Sequence, residues 1–168
     1  MKTRRMTLIA LLVAQGLVLH VIEGMLPIPF IAPGARLGLT NIVTLMALYI
    51  LDFNEVLLVV VLRVLLSTLI AGNMSSFMYS IAGGIFSFLS MYTLKRIGKE
   101  NVSIIGVSII GAVFHNIGQV IVAGIIINNA MIVSYLPILL VAAIGTGIFV
   151  GVTGKFLLPF LERLNLKR

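Results

Sequence analysis

Residues 104–127 read IIGVSIIGAVFHNIGQVIVAGIII, a run without a single Asp, Glu, Lys or Arg. A transmembrane helix needs about 20 consecutive apolar residues, so this run is long enough to cross a bilayer. It nevertheless carries three polar side chains close together, those of His115, Asn116 and Gln119. The run therefore predicts a transmembrane helix, and the polar residues within it need an explanation of their own.

Composition extends this prediction to the whole chain. The 168 residues are 60% hydrophobic and only 10% charged, with a mean hydropathy of +1.20, whereas about a quarter of an average soluble domain is charged. Apolar runs can be placed at about 6–22, 39–51, 55–71, 74–94, 104–127 and 135–158. We expect one domain over residues 1–168, an all-α integral membrane protein built as a compact bundle of six transmembrane helices.

The cations predict the orientation of this bundle. Cytoplasmic segments of membrane proteins are enriched in Lys and Arg, so the net charge of +7 indicates loop placement and not nucleic-acid binding. Six spans put most of the cations on one side: Lys2, Arg4, Arg5, Lys95, Arg96, Lys99, Lys155, Arg163, Lys167 and Arg168. Both termini are therefore expected in the cytoplasm, and the chain is expected in the cell membrane, as a multi-pass protein of the bacterial plasma membrane.

Polar side chains inside the spans are the candidates for function, because they are costly in a bilayer and usually face a cavity or a partner. His115 and Gln119 are four residues apart and share one face of the fifth span, which suits a small polar ligand. Asn116 is rotated by about 100° from His115, so it either lines the edge of the same cavity or bridges to a neighbouring helix. Further candidates for substrate binding are Asn41, Arg63, Asn73, His20 and Glu23.

These residues also have a purely structural interpretation. Buried polar side chains in a membrane bundle can simply hydrogen-bond across helices and fix their packing. Arg63 can pair with Glu23 or with backbone carbonyls, and such pairing would cancel the inference that it attracts an anionic ligand. The sequence leaves both interpretations open.

Pairs of small residues four apart mark places where another helix can approach closely. Gly147 and Gly151 form such a pair in the sixth span, and packing inside the bundle is their expected role. Ala10 and Ala14 form another in the first span, on a different face from that of the polar residues at its outer end. The first span therefore offers two faces to two different partners.

Several chemistries are excluded by what the sequence lacks. Asp52 is the only aspartate, so this chain alone cannot assemble a paired-aspartate metal site for a diphosphate. Cysteine is absent, and none of the motifs H-E-x-x-H, G-x-S-x-G or G-x-x-x-x-G-K-[ST] occurs. We therefore expect no catalytic residue, no metal and no cofactor, and a protein that binds or translocates a solute without being an enzyme.

Several segments resemble a known family. ARLGLTNIVTL at 35–45, LR at 62–63 with GN at 72–73, SIAGGIFS at 80–87 and FHNIGQ at 114–119 resemble the Gx transporter family, which is also labelled heptaprenyl diphosphate synthase component I. The small-residue pair Ala10 and Ala14, the six short spans and the long outer loop resemble the substrate-binding S components of energy-coupling factor (ECF) transporters. The resemblance covers nearly the whole chain.

The resemblance implies a mechanism and partners. A small vitamin-like or isoprenoid- or quinone-related solute would bind in the extracellular half, beneath a lid formed by the Pro-rich loop from Met25 to Arg36. Ala10 and Ala14 would dock on a membrane coupling subunit, and separate cytosolic ATPases would supply the energy. The alternative is an accessory membrane subunit of a quinone- or flavin-linked electron-export system or of polyprenyl synthesis, without transport of its own. A third possibility, an enzyme of lipid or prenyl chemistry, requires turnover by the purified chain.

Overall fold

The computed structural model describes residues 2–25, 38–71 and 74–163, and these ranges are helical almost throughout. The α-helices are α1 (Lys2–Met25), α2 (Asn41–Ile50), α3 (Phe53–Ala71), α4 (Met74–Gly98), α5 (Ile104–Ile127) and α6 (Leu136–Arg163). Short 3-10 helices lie at Lys99–Asn101 and Ala130–Tyr135. The described ranges contain no β-strand. The predicted all-α, six-helix architecture is therefore confirmed.

Five of the six helices are long and apolar enough to cross a membrane, and α2 is the exception. Its 10 residues extend only about 15 Å at 1.5 Å per residue, roughly half the thickness of the hydrocarbon core. All but two of them, Ile42 and Tyr49, are buried. The second predicted span is thus a half-length helix enclosed by the others.

The packing of the helices explains why α2 is buried. It contacts each of the other five helices, while α5 lies between α4 and α6 along most of its length. By contrast, α1 packs only on α2 and α3, and within the described residues it makes no contact with α6. A gap therefore separates α1 from α6, and α2 forms its floor.

Three helices extend at least four residues beyond one end of the apolar runs that predicted them. α1 begins at Lys2, α4 continues to Gly98, and α6 continues through Pro159 to Arg163. The predicted start of α1 and the predicted end of α4 lie next to charged residues, but long cationic side chains reach water from a helix end without breaking the backbone hydrogen bonds. The predicted end of α6 lies before Pro159. Pro159 lacks only the N–H that would bond to the carbonyl of Lys155, so the helix passes through it with one bond fewer.

The glycine pair of α6 forms the seam with α5. A Cβ atom added to Gly147 would lie 2.6 Å from Cα of Ile109, and one added to Gly151 would lie 2.7 Å from Cα of Ile105. Only glycine permits such a close approach of two backbones. The predicted role of this pair in packing inside the bundle is confirmed.

Contacts between helix ends agree with the predicted threading of the chain. Arg5, near the start of α1, donates a hydrogen bond of 2.7 Å to Asp52 in the turn between α2 and α3. Lys95, near the end of α4, donates one of 2.7 Å to the carbonyl of Leu48. Both contacts join ends that the cations assign to the cytoplasm, an assignment that stays a prediction.

Candidate functional site

Glu23 lies near the last residue of α1, at the opposite end from Arg5, and it holds the turn that precedes α2. Its buried carboxylate accepts hydrogen bonds at Oε1 from the backbone N–H of Gly38, at 2.6 Å, and of Leu39, at 3.4 Å. Gly38 has a φ of +87°, a conformation that residues with a side chain rarely adopt. Glu23 therefore fixes the point at which α2 begins.

The imidazole ring of His115 lies between Gly38, in the turn before α2, and Gly83 of α4. A Cβ atom on Gly38 would lie 3.0 Å from Cδ2 of the ring, and one on Gly83 would lie 2.8 Å from Cε1 and from Nδ1. The side chain of Asn41 also lies beside Gly38, since its Nδ2 atom would lie 2.8 Å from the same added Cβ. His115, Asn41 and Gly83 thus bring α5, α2 and α4 together at one point.

Gln119 fixes the orientation of the His115 ring. Its amide nitrogen Nε2 lies 2.5 Å from Nε2 of His115. Since an amide nitrogen only donates, the ring accepts at Nε2 and carries its proton on Nδ1. The Nδ1 atom, on the other side of the ring, lies close to Gly83 of α4. The predicted pair therefore shares one face of α5 and is in direct contact.

Arg63 crosses the middle of the bundle from α3. Its side chain packs on Gly16 of α1, where an added Cβ would lie 2.7 Å from Cδ, and its Nη2 atom reaches Gly84 of α4, at 3.4 Å from an added Cβ. The residue is only 3% exposed. Its charge interacts with that of Glu23 and reaches His115. The candidate residues of α1, α3 and α5 therefore belong to one electrostatic cluster.

Some polar atoms of this cluster have no hydrogen-bond partner within the described part of the chain. They include both amide atoms of Asn41, the hydroxyl of Thr44, the Nη1 atom of Arg63 and the Nδ1 atom of His115. Asn41 is 2% exposed and Thr44 is fully buried. Leaving buried polar groups unsatisfied costs about 1–3 kcal/mol each, and such groups are rare without a water or a ligand beside them.

Asn116 points away from this cluster. Its Nδ2 atom donates a hydrogen bond of 3.0 Å to the backbone carbonyl of Leu139 in α6. Of the two roles that the sequence left open, the structure shows the bridge to a neighbouring helix. Asn116 therefore braces α5 against α6.

Of the remaining predicted binding residues, His20 is described by the structure and Asn73 is not. His20 is buried, and it lies one turn from Gly16 and three residues before Glu23, on the face of α1 that meets Arg63 and the turn before α2. Asn73 lies outside the described residues. So does the predicted lid, apart from Met25, which is exposed at the end of α1.

Ala10 and Ala14 are exposed on α1. Ala14 lines a groove of about 560 Å³ between α1 and α6, which we call the lateral groove; Met46 of α2 lies in its floor and Phe149 of α6 in its far wall. The groove is almost entirely apolar. The predicted docking strip thus faces outward beside a gap in the bundle.

Sequence reasoning missed the glycines that leave room for the side chains of the cluster, and it missed one polar residue within it. They are the glycines Gly16, Gly38, Gly83 and Gly84, together with the hydroxyl of Thr44. The segments ARLGLTNIVTL and SIAGGIFS contain all but Gly16. The signal was therefore present, but only the packed helices show which side chains the glycines receive.

The fold and this cluster define a class, the multi-pass α-helical membrane proteins with a polar site buried between their helices. Within the described residues, no group of three His, Cys, Asp or Glu side chains is placed to hold a metal ion. The groups that the cluster does offer are hydrogen-bonding side chains and the charges of Arg63 and Glu23.

Comparison with known proteins gives the family. The family described as heptaprenyl diphosphate synthase component I matches residues 12–157, and the chain belongs to it. This match runs from α1 to α6 and confirms the membership that the sequence segments predicted. No curated protein and no solved structure matched the chain. The resemblance to the S components of ECF transporters stays a prediction.

Proposed function

We propose that this protein is the substrate-binding membrane component of an ECF-type transporter, and that its ligand binds where α2 begins. The observation that carries the proposal is the buried amide of Asn41, whose two polar atoms have no partner among the described residues. A donor and an acceptor held side by side in a bundle interior suit a small solute that offers the complementary pair. His115 and Gln119 form the neighbouring wall.

The charges of the cluster narrow the chemistry of the ligand. The carboxylate of Glu23 acts electrostatically on Arg63 and offsets part of its charge, so a ligand does not need a full negative charge to enter. Nη1 of Arg63, the hydroxyl of Thr44 and the amide of Asn41 all offer donors. A neutral solute with carbonyl acceptors, such as a vitamin-like heterocycle or a quinone-related head group, fits this set.

Transport requires partners that the chain does not contain. We propose that Ala10 and Ala14 dock on a membrane coupling subunit and that cytosolic ATPases act in trans, since the alanines are exposed beside the lateral groove. The chain has no nucleotide-binding motif of its own. In this proposal the protein is not an enzyme and carries no cofactor.

Two buried asparagines provide the test. Asn41→Leu removes an amide without described partners, and it should raise the melting temperature of ligand-free protein while abolishing a bound small molecule in native mass spectra. Asn116→Leu removes the bond to Leu139, and it should lower the melting temperature by an amount equivalent to about 1–3 kcal/mol while leaving the bound molecule in place. If gently purified parent protein carries no small molecule, or if both variants behave alike, the proposal is wrong.

The family description favours a second candidate, an accessory membrane subunit of polyprenyl synthesis or of a quinone- or flavin-linked electron-export system. A description as component I implies a further component with which this chain would associate. Such a subunit would co-purify with a soluble synthase or a redox protein and not with coupling and ATPase subunits. Asn41→Leu would then leave the association unchanged.

A further inference from the structure

A second cavity lies at the opposite end of the bundle from the Asn41 cluster. It has a volume of about 470 Å³ and is lined by the last turn of α2, the turn to α3 and the end of α4. Its polar lining residues are Asp52, Tyr92, Lys95 and Arg96. We propose that this cytoplasmic cavity binds a phosphate group, carried by a lipid or by a soluble molecule. The proposal is independent of the transport function.

Lys95 supplies a positioned charge. Its Nζ atom donates a hydrogen bond of 2.7 Å to the carbonyl of Leu48 and lies 4.0 Å above the centre of the Tyr49 ring. The carbonyls at the end of α2 and the face of the ring both attract a cation. The ammonium group is therefore held in one position in the cavity wall, whereas the ammonium groups of most surface lysines sample many positions.

The acidic residues nearby are already engaged by another cation. Arg5 donates hydrogen bonds to Asp52, at 2.7 Å, and to Glu55, at 3.2 Å. The second oxygen of Glu55 accepts a hydrogen bond from the backbone N–H of Asp52. Arg96 is exposed at the cavity. Arg5, Lys95 and Arg96 are three cations against the two carboxylates of Asp52 and Glu55, so this set of side chains keeps a net positive charge.

The other wall of the cavity is apolar. Phe53 packs against Phe88 and Tyr92, with ring centroids 5.0 Å and 4.8 Å apart, and Phe53 and Tyr92 line the cavity. A fully hydrated anion would make no favourable contact with this apolar wall. An amphiphile would, because its phosphate can lie on the cations while its first carbons pack on the rings. Basic pockets between transmembrane helices on the cytoplasmic side commonly bind anionic head groups.

The test compares ligands that differ in their phosphate. Purified full-length protein in a neutral detergent is titrated with dioctanoyl phosphatidic acid, dioctanoyl phosphatidylcholine and inorganic diphosphate, and binding is followed by native mass spectrometry. Phosphatidic acid should bind saturably and about tenfold more tightly than phosphatidylcholine, because an exposed phosphate monoester forms charge-assisted hydrogen bonds with both cations. Displacement of phosphatidic acid by diphosphate identifies a soluble phosphate as the ligand, and failure of displacement identifies the lipid.

The variants separate a specific site from general attraction of charge. Arg96→Gln, at an exposed position, should weaken phosphatidic acid binding about fivefold or more without changing the melting temperature. Lys155→Gln is the matched control, since Lys155 is an exposed cation of α6 that does not line the cavity. Lys95→Gln should weaken binding further. Equal affinity for the two lipids, or equal losses in Arg96→Gln and Lys155→Gln, would overturn the proposal.

Discussion

At the scale of single residues, the missing side chain of Gly83 is what allows the His115 ring to lie between α4 and α5. Gly83→Ala would place a methyl group 2.8 Å from two ring atoms and 3.0 Å from the backbone oxygen of His115. The ring cannot retreat, because Gly38, in the turn before α2, lies against its Cδ2 atom. We expect a loss of about 1–3 kcal/mol in the free energy of unfolding, typical of overpacking, measured as a lower melting temperature in detergent.

Gly124→Ala is the matched control for that substitution. Gly124 lies in the last turn of α5, and an added Cβ would meet nothing within 4 Å. Alanine is the better helix former, so this variant should melt at the same temperature as the parent or higher. Equal melting temperatures for Gly83→Ala and Gly124→Ala would show that the space beside Gly83 is not needed for the ring of His115.

The residue scale also shows which part of the site the sequence could predict. The four-residue spacing of His115 and Gln119 alone predicts a shared face, and the two side chains do touch. The choice between the two roles of Asn116 depended on which helix lies beside it, and no local pattern encodes that α6 offers the carbonyl of Leu139. That the amide of Asn41 has no partner among the described residues is likewise a property of packing.

Among the elements, the seam between α5 and α6 leaves no room for added volume. Gly147→Ala would bring a methyl group to 2.6 Å from Cα of Ile109, and a backbone atom cannot move aside as a flexible side chain can. We expect α6 to separate from α5 and the free energy of unfolding to fall by about 2–3 kcal/mol. Gly145→Ala, two residues earlier in the same helix, would meet nothing within 4 Å and should be neutral. Similar melting temperatures for these two variants would contradict the seam.

The sequence predicted where the helices lie along the chain, but it did not predict the features of those helices that depend on packing. The apolar runs located all six helices, because membrane spans are defined by length and hydropathy. They did not reveal that α2 is enclosed by five neighbours, nor that α6 continues through Pro159. Those features depend on how the helices pack and on hydrogen bonds that neighbouring turns retain around a proline.

On the scale of the whole molecule, the two proposed sites lie at opposite ends of one bundle. Glu23 and the turn before α2 mark one end, and the ion pair of Arg5 with Asp52 marks the other. The short helix α2 connects them, since Asn41 is its first residue and Leu48 lies in its last turn. A solute site near the extracellular side and a phosphate site near the cytoplasmic side both depend on the orientation that the cations predict.

That orientation can be tested directly, because the chain contains no cysteine. Asn101→Cys lies between α4 and α5, and Met131→Cys lies between α5 and α6; both positions are exposed. With spheroplasts and a membrane-impermeant maleimide, we expect Met131→Cys to react in intact cells and Asn101→Cys to react only after permeabilisation, since the cations keep the α4–α5 connection inside. The cysteine-free parent is the control for background. The reverse pattern would invert both proposed sites, and labelling of both positions from one side would show that α5 does not cross the membrane.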